Sequence, residues 1–184
     1  MNTLLAADLW FENLMLGIRS PLSTSVFKVI TSLGEATLVL VLTALACAVL
    51  YRTRELRAYA FGLAAAVLGA ALSVQVMKAV IDRARPGGLI QSVVETSSSF
   101  PSWHATGSVA FYGFIAFLLC RRYPQHARIV TTAAAALFLL IGFSRLYLGV
   151  HFLSDVIAGY LVGGLWLLIG VAITNKYFLQ HPEN

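Results

Sequence analysis

The chain has 184 residues, 59% of them hydrophobic and only 11% charged, and its mean hydropathy is +0.80. This composition excludes an ordinary soluble domain and points to a polytopic membrane protein of a single domain. The formal charge of +5 comes from 13 Lys and Arg against 8 Asp and Glu, but no basic run exceeds two residues. The basic residues lie between apolar segments, as topology signals do, and argue against a nucleic-acid surface.

The first apolar stretch, Leu4 to Ile18, is too short to cross a bilayer, which takes about 20 residues. Asp8, Glu12 and Arg19 punctuate it, so it predicts a helix lying in the interface, ended by Pro21. The stretch has no basic leading region and carries two acids, so it does not read as a cleavable signal peptide. The first span is expected from about Phe27 to Tyr51, with Gly34 and Glu35 near its outer boundary. Glu35 has two readings there, a contact to a substrate head group or a side chain snorkelling to water or paired with a base. Arg52, Arg54 and Arg57 make the first basic loop. The second span, about Ala58 to Ile81, is rich in Ala and Gly, which lets helices pack closely in lipid and marks it as a central helix. It carries Lys78 near its end and gives way to Arg85-Pro86-Gly87-Gly88.

The loop over 82–103, rich in serine at Ser97, Ser98 and Ser99, is the longest connection and is expected to form the mouth of a site. The third span is about Trp103 to Leu119, before Arg121 and Arg122. The fourth, about Ile129 to Phe143, reaches Ser144-Arg145, and the fifth, about His151 to Ile173, precedes Lys176. Cys47 and Cys120 lie in or beside apolar spans without metal-type spacing and read as buried free thiols. Seven basic residues (Arg52, Arg54, Arg57, Arg121, Arg122, Arg128 and Lys176) fall on one side of this plan. The other side holds Arg19, Lys28 and Arg83, besides Lys78, Arg85 and Arg145, which are site candidates. Seven against three places the first group in the cytoplasm, the N-terminus outside and all three polar pieces at the outer face.

Ionisable groups at or beside membrane depth are expensive to keep and mark functional sites. Lys78, Arg85 and Arg145 offer three cations, and arginine's planar fork suits phosphate oxygens. Arg85 lies seven residues beyond Lys78, nearly two turns on if the helix continues, whereas the bland reading of Lys78 is an ion pair with Asp82. Pro101-Ser102-Trp103-His104 reads as a helix start with a capping serine, an end that favours an anion. His151 and Asp155 are four apart, so on one helical face the carboxylate would hold one ring nitrogen and free the other as a nucleophile. Two histidines with three cations suit phosphoryl transfer; the competing use is a zinc site of His104, His151 and Asp155, which the surrounding positive charge disfavours.

The pattern of Lys78, six residues, Arg85-Pro86, then Pro101-Ser102-Trp103-His104, then Ser144-Arg145, five residues, His151, three residues and Asp155 resembles the type 2 phosphatidic acid phosphatase superfamily. That superfamily includes lipid phosphate phosphatases, undecaprenyl pyrophosphate phosphatases and the vanadium haloperoxidases. The resemblance implies His151 as the nucleophile that forms a phosphohistidine, oriented by Asp155, and His104 as general acid. It further implies that Lys78, Arg85, Ser102, the Trp103 backbone N–H and Arg145 bind the phosphoryl oxygens, with no metal or other cofactor. Trp103 stands where the family usually has Gly, a residue that lets backbone approach the phosphate closely.

The resulting expectation is an all-α membrane helix bundle, a single domain over 1–184, with five transmembrane helices and an interfacial helix over 1–20, six helices in total. It would be a lipid phosphate or pyrophosphate phosphatase in a bacterial cytoplasmic membrane, its site on the periplasmic face. Its substrate would be a lipid such as undecaprenyl pyrophosphate, phosphatidylglycerophosphate or phosphatidic acid. A lipid-to-lipid phosphotransferase of the same superfamily is the alternative, and an inactive lipid-binding scaffold is disfavoured by the complete set of signature side chains.

Overall fold

The computed structural model describes residues 3–87, 91–93 and 95–180, and these contain helices and no strand. Gly88, expected at the start of the long loop, lies outside the described residues. In chain order the helices are α1 (Thr3–Gly17), α2 (Pro21–Ser32), α3 (Ala36–Arg52), α4 (Arg57–Ile81), α5 (Trp103–Arg122), α6 (Ala127–Tyr147) and α7 (Leu153–Gln180), with short 3-10 turns at Arg54–Leu56 and Pro124–His126. Five helical runs are long and apolar enough to cross a membrane: Pro21–Arg52, Arg54–Ile81, Trp103–Arg122, Pro124–Tyr147 and Leu153–Leu179. The expected plan of a short N-terminal helix followed by five spans therefore holds. The first span is built in two pieces, α2 and α3, because the chain turns at Leu33-Gly34-Glu35. A side chain at that turn would crowd the bundle, since a Cβ on Gly34 would stand 2.5 Å from Ile141 Cγ2 and 3.1 Å from the His104 ring.

Several boundaries differ from expectation. Pro21 does not end the interfacial helix: α1 stops at Gly17, and Pro21 is the first residue of α2, where its missing N–H is harmless. Ser20 and Ser23 close a reciprocal capping box in front of it, each accepting the other's backbone N–H at 3.2 Å. The Tyr147 hydroxyl, 2.5 Å from Ser23 Oγ, ties this start to the end of α6. Helix α4 does not continue past Lys78 to Arg85; it ends at Ile81, where Asp82 turns left-handed with φ of 40°. Helix α6 runs on to Tyr147, so Ser144 and Arg145 lie inside its last turns, and α7 begins at Leu153 and not at His151.

Helix α4 packs against α3, α5 and α7, and α5 against α3, α4, α6 and α7. The small residues expected to make the second span central do so at its crossing with α7. A Cβ on Gly62 would stand 2.6 Å from the Gly170 carbonyl oxygen, and one on Gly170 would stand 2.5 Å from that of Gly62. The Thr174 hydroxyl, on α7, donates to the Ala58 carbonyl at 3.2 Å beside this contact. Leu63, Ala66, Val67, Ala70, Ala110 and Phe114 fill the interior, whereas Leu68, Leu72, Val80, Leu161 and Leu168 face outward, as a lipid-facing surface requires. Arg121 at the end of α5 donates to Asn175 of α7 at 3.0 Å, so the basic turns gather at the end of the bundle opposite the polar pieces.

Candidate active site

The start of α3, the end of α4, the start of α5, the end of α6 and the segment before α7 converge on a cavity of about 340 Å³. Its polar wall is Glu35, Gln75, Lys78, Arg85, Glu95, Ser97, Trp103, His104, Arg145 and His151, and its apolar wall includes Ala36, Leu40, Ala71 and Val74. Lys78 is not paired with Asp82. The left-handed end of α4 carries Asp82 to the exposed surface, and Lys78 Nζ donates to the Ser98 carbonyl at 2.6 Å and to Ser97 Oγ at 3.1 Å. Arg85 reaches the cavity from the loop, donating from Nε to the Ser97 carbonyl at 2.7 Å and from Nη1 to the Val150 carbonyl at 2.8 Å. Arg145 comes from α6, is 2% exposed, and donates from Nη1 to Thr31 Oγ1 at 3.0 Å. Its Nη2 is held by Glu95 Oε1. Its Nε and the indole N–H of Trp103 are buried donors without a protein acceptor among the described residues.

His151 precedes α7 instead of sharing a helical face with Asp155, and the pair meets by a different route. Gly149, with φ of 71°, turns the chain into the segment that carries His151. Asp155, in the first turn of α7, reaches back to accept the Phe152 N–H at 2.9 Å, the carboxylate half of a capping box. The same oxygen, Oδ2, lies 3.4 Å from His151 Nδ1. His151 Nε2 lies 3.2 Å from Arg85 Nη1. Burial drives the pKa of His151 down to about 4; the Asp155 hydrogen bond opposes the fall, and Arg145 and Arg85 add to it. Burial thus favours the neutral ring, and the tautomer that suits these contacts carries its proton on Nδ1, toward the carboxylate, and its lone pair on Nε2, toward the Arg85 guanidinium, which can only donate.

Ser102 precedes α5 but its hydroxyl makes no capping bond. The side chain is fully buried, its Oγ has no partner among the described residues, and it is not on the cavity wall. Its backbone acts instead as a tie. The N–H donates to the Asp155 carbonyl at 3.1 Å, pinning the start of α5 to the start of α7. The Trp103 ring lies back along α5 over Gly107, where a Cβ would come within 2.8 Å of it. The glycine one turn on thus makes room for the indole. Glu35, at the start of α3, lines the cavity within electrostatic reach of Arg145, a position compatible with both of its readings. Among the described residues no group of three His, Cys, Asp or Glu is arranged to hold a metal ion, so His104, His151 and Asp155 do not form the zinc trio.

Three residues escaped the reading of the sequence. Glu95 bridges Arg145 and Arg85, the latter at 3.6 Å; the only signal was its being the single acid between Asp82 and Asp155. Arg83, treated as a topology charge, makes an ion pair of 2.5 Å with Asp155 and one of 2.7 Å with Asp8. Asp8, treated as punctuation of an interfacial helix, is 3% exposed.

A profile of the PAP2 superfamily matches residues 55–178. The chain is 33% identical over 183 residues to phosphatidylglycerophosphatase B of Bacillus subtilis (strain 168), covering 95% of this chain and 87% of that protein. Its fold matches the crystal structure of the transmembrane PAP2 type phosphatidylglycerolphosphate phosphatase from Bacillus subtilis with a TM-score of 0.88 at 30% identity, over 96% of this chain and 88% of that one. It matches Aquifex aeolicus LpxE with a TM-score of 0.71 at 22% identity, over 91% and 94% of the two chains, a likeness of fold.

Proposed function

Because the chain belongs to the PAP2 superfamily, we propose that it is a membrane lipid phosphate phosphatase that works through a phosphohistidine on His151. The reading rests above all on the His151 ring, with Nδ1 toward Asp155 and Nε2 opening among Arg85, Arg145 and Lys78 in a cavity that His104 also lines. Lys78, Arg85 and Arg145 hold the phosphoryl oxygens, joined by the free donors of Trp103 and Arg145 and by the N-terminal end of α5. His151 Nε2 attacks phosphorus, the P–O bond to the lipid alcohol breaks, and His104 gives its proton to the departing oxygen. Water then passes a proton back to His104 and attacks the phosphohistidine. The N–P bond breaks, inorganic phosphate leaves, and both imidazoles return to their starting states.

The apolar wall of Ala36, Leu40, Ala71 and Val74, on α3 and α4, gives a lipid tail a path beside the phosphate. The names of the relatives favour phosphatidylglycerophosphate as substrate, with phosphatidic acid and undecaprenyl pyrophosphate as competitors on the same phosphate chemistry. The cation-rich donor set favours an anion over a dication, so the reaction is metal-independent and withstands a chelator. The basic count supports a site at the outer face of a bacterial cytoplasmic membrane.

Free phosphate release from each of the three lipids by the purified protein, without any acceptor lipid, ranks the substrates and separates hydrolysis from transfer. In the same assay His151→Ala is inactive on phosphatidic acid and on p-nitrophenyl phosphate. His104→Ala loses about 10²–10⁴-fold on the lipid, whose alkoxide needs a proton to leave, and far less on the nitrophenyl ester. Equal losses on both substrates for His104→Ala, or nitrophenyl turnover by His151→Ala, reverses or dissolves the assignment of the two roles.

A further inference from the structure

Behind His151, away from the cavity, a chain of charges runs from the nucleophile to the interfacial helix. Asp155 Oδ2 serves His151 and the Phe152 N–H, and its other oxygen, Oδ1, accepts from Arg83 Nη1 at 2.5 Å. Arg83 Nη2 continues to Asp8 Oδ2 at 2.7 Å. Asp8 also accepts the Ser154 N–H at 2.9 Å and the Ser154 hydroxyl at 2.7 Å. The guanidinium of Arg83 lies 4.3 Å over the Phe152 ring, which fixes its plane. None of Asp8, Arg83 and Ser154 is on the wall of the catalytic cavity.

A buried carboxylate on an apolar helix is costly unless fully paired, and α1 had no need of one merely to lie on the bundle. Each oxygen of Asp155 has a separate partner, so the carboxylate cannot rotate away from His151 without losing Arg83. We propose that Asp8 and Arg83 are positioning residues for His151, forming with Asp155 a carboxylate–guanidinium–carboxylate chain through which α1 sets the orientation and basicity of the nucleophile. The proposal rests on the reading of His151 as nucleophile.

The chain predicts opposite electrostatic effects from its two outer members. The other titratable and charged groups about His151 and Asp155 are Lys78 of α4, His104 of α5, Arg145 of α6, and Arg85 and Glu95 of the loop; Glu12 lies near Asp8. All of them stay the same in the variants, as does the ionisation of the substrate. Asp8→Asn keeps an acceptor for Ser154 but removes a negative charge, so His151 becomes less basic and the acid limb of kcat/KM moves to lower pH. Arg83→Gln removes a positive charge, and the limb moves to higher pH. Each shift is about half a unit or more. Both variants lose about 10–100-fold in kcat, the range seen for partners that orient the imidazoles of metal sites, with KM changed less than about twofold. Arg83→Lys, which keeps the charge without the fork, holds the limb near its original pH and recovers part of kcat.

The measurement is the pH profile of kcat and KM for these variants on a short-chain phosphatidic acid in detergent micelles. Radioactive phosphate trapped on the wild type, and absent from His151→Ala, tests the nucleophile separately. Trapped label together with limbs that do not move, or move in the same direction, overturns the positioning role alone; absence of trapped label overturns the reading beneath it. Should Asp8→Asn fail to fold, Arg83→Gln against Arg83→Lys decides, because a purely structural tie gives no charge-dependent shift.

Discussion

Glu95 carries a consequence of its own. Burial pushes its carboxyl toward protonation, but Arg145 and Arg85 outweigh it and hold the pKa below the usual glutamate value, so the group is ionised at pH 7. It therefore places a negative charge on the same two guanidiniums that are proposed to take phosphoryl oxygens. Any phosphate entering the cavity competes with that carboxylate. Glu95→Gln keeps the size and a weak acceptor while removing the charge, and should tighten inhibition by orthovanadate at pH 7 about fivefold, in line with roughly 1 kcal/mol for a partly exposed pair. An inhibition constant that rises shows instead that Glu95 holds Arg145 in its productive place. Trp103 and Gly107 form a second pair at this scale: the indole occupies the space that a side chain at 107 would need, and so shapes the mouth of the cavity.

Among the helices, the crossing of α4 and α7 holds the site's two sources together, since α4 ends beside Lys78 and α7 begins beside His151. Association in lipid depends on close packing, and the backbones meet at Gly62 and Gly170. Gly170→Val inserts a side chain where even a Cβ would meet the Gly62 carbonyl at 2.5 Å. It should destabilise the detergent-solubilised protein by about 1–3 kcal/mol or more, read as a fall in melting temperature with loss of activity. Gly164→Ala, on the same helix with nothing within 4 Å of the added carbon, should melt no lower than the parent. Equal melting of the two variants shows that the crossing is not the constraint.

For the whole molecule, the polar pieces and the basic turns occupy opposite ends of one bundle, so the orientation is a single question with two possible answers. Seven basic residues on the turn side, against Arg19 and Lys28 on the other once Arg83 is counted with the site, favour the site outside. Thr96 in the long loop and Gln125 in the α5–α6 turn are both exposed, and neither lines the cavity. Single cysteines there, in a background without Cys47 and Cys120, should label from opposite sides: Thr96→Cys on intact cells with an impermeant reagent, and Gln125→Cys only after lysis. The reverse pattern inverts the topology and moves the site to the cytoplasmic face.

Composition and spacing by themselves determined five spans, a short leading helix and a PAP2 signature, because apolar run length and the order of polar residues along the chain are local properties that folding does not alter. They also located Lys78, Arg85, Trp103, His104, Arg145 and His151, all of which the fold brings to one cavity. The details that set the chemistry were decided elsewhere. The left-handed Asp82 ends α4 early, and the first turn of α7 brings Asp155 back to His151 without a shared helical face. Glu95 is 50 residues from Arg145, Arg83 is 72 from Asp155, and Asp8 is 146 from Ser154. Glu95, Arg83 and Asp8 stand outside the signature and outside any period; only helices packed side by side bring such charges within hydrogen-bonding reach of their partners, and only burial compels them to pair.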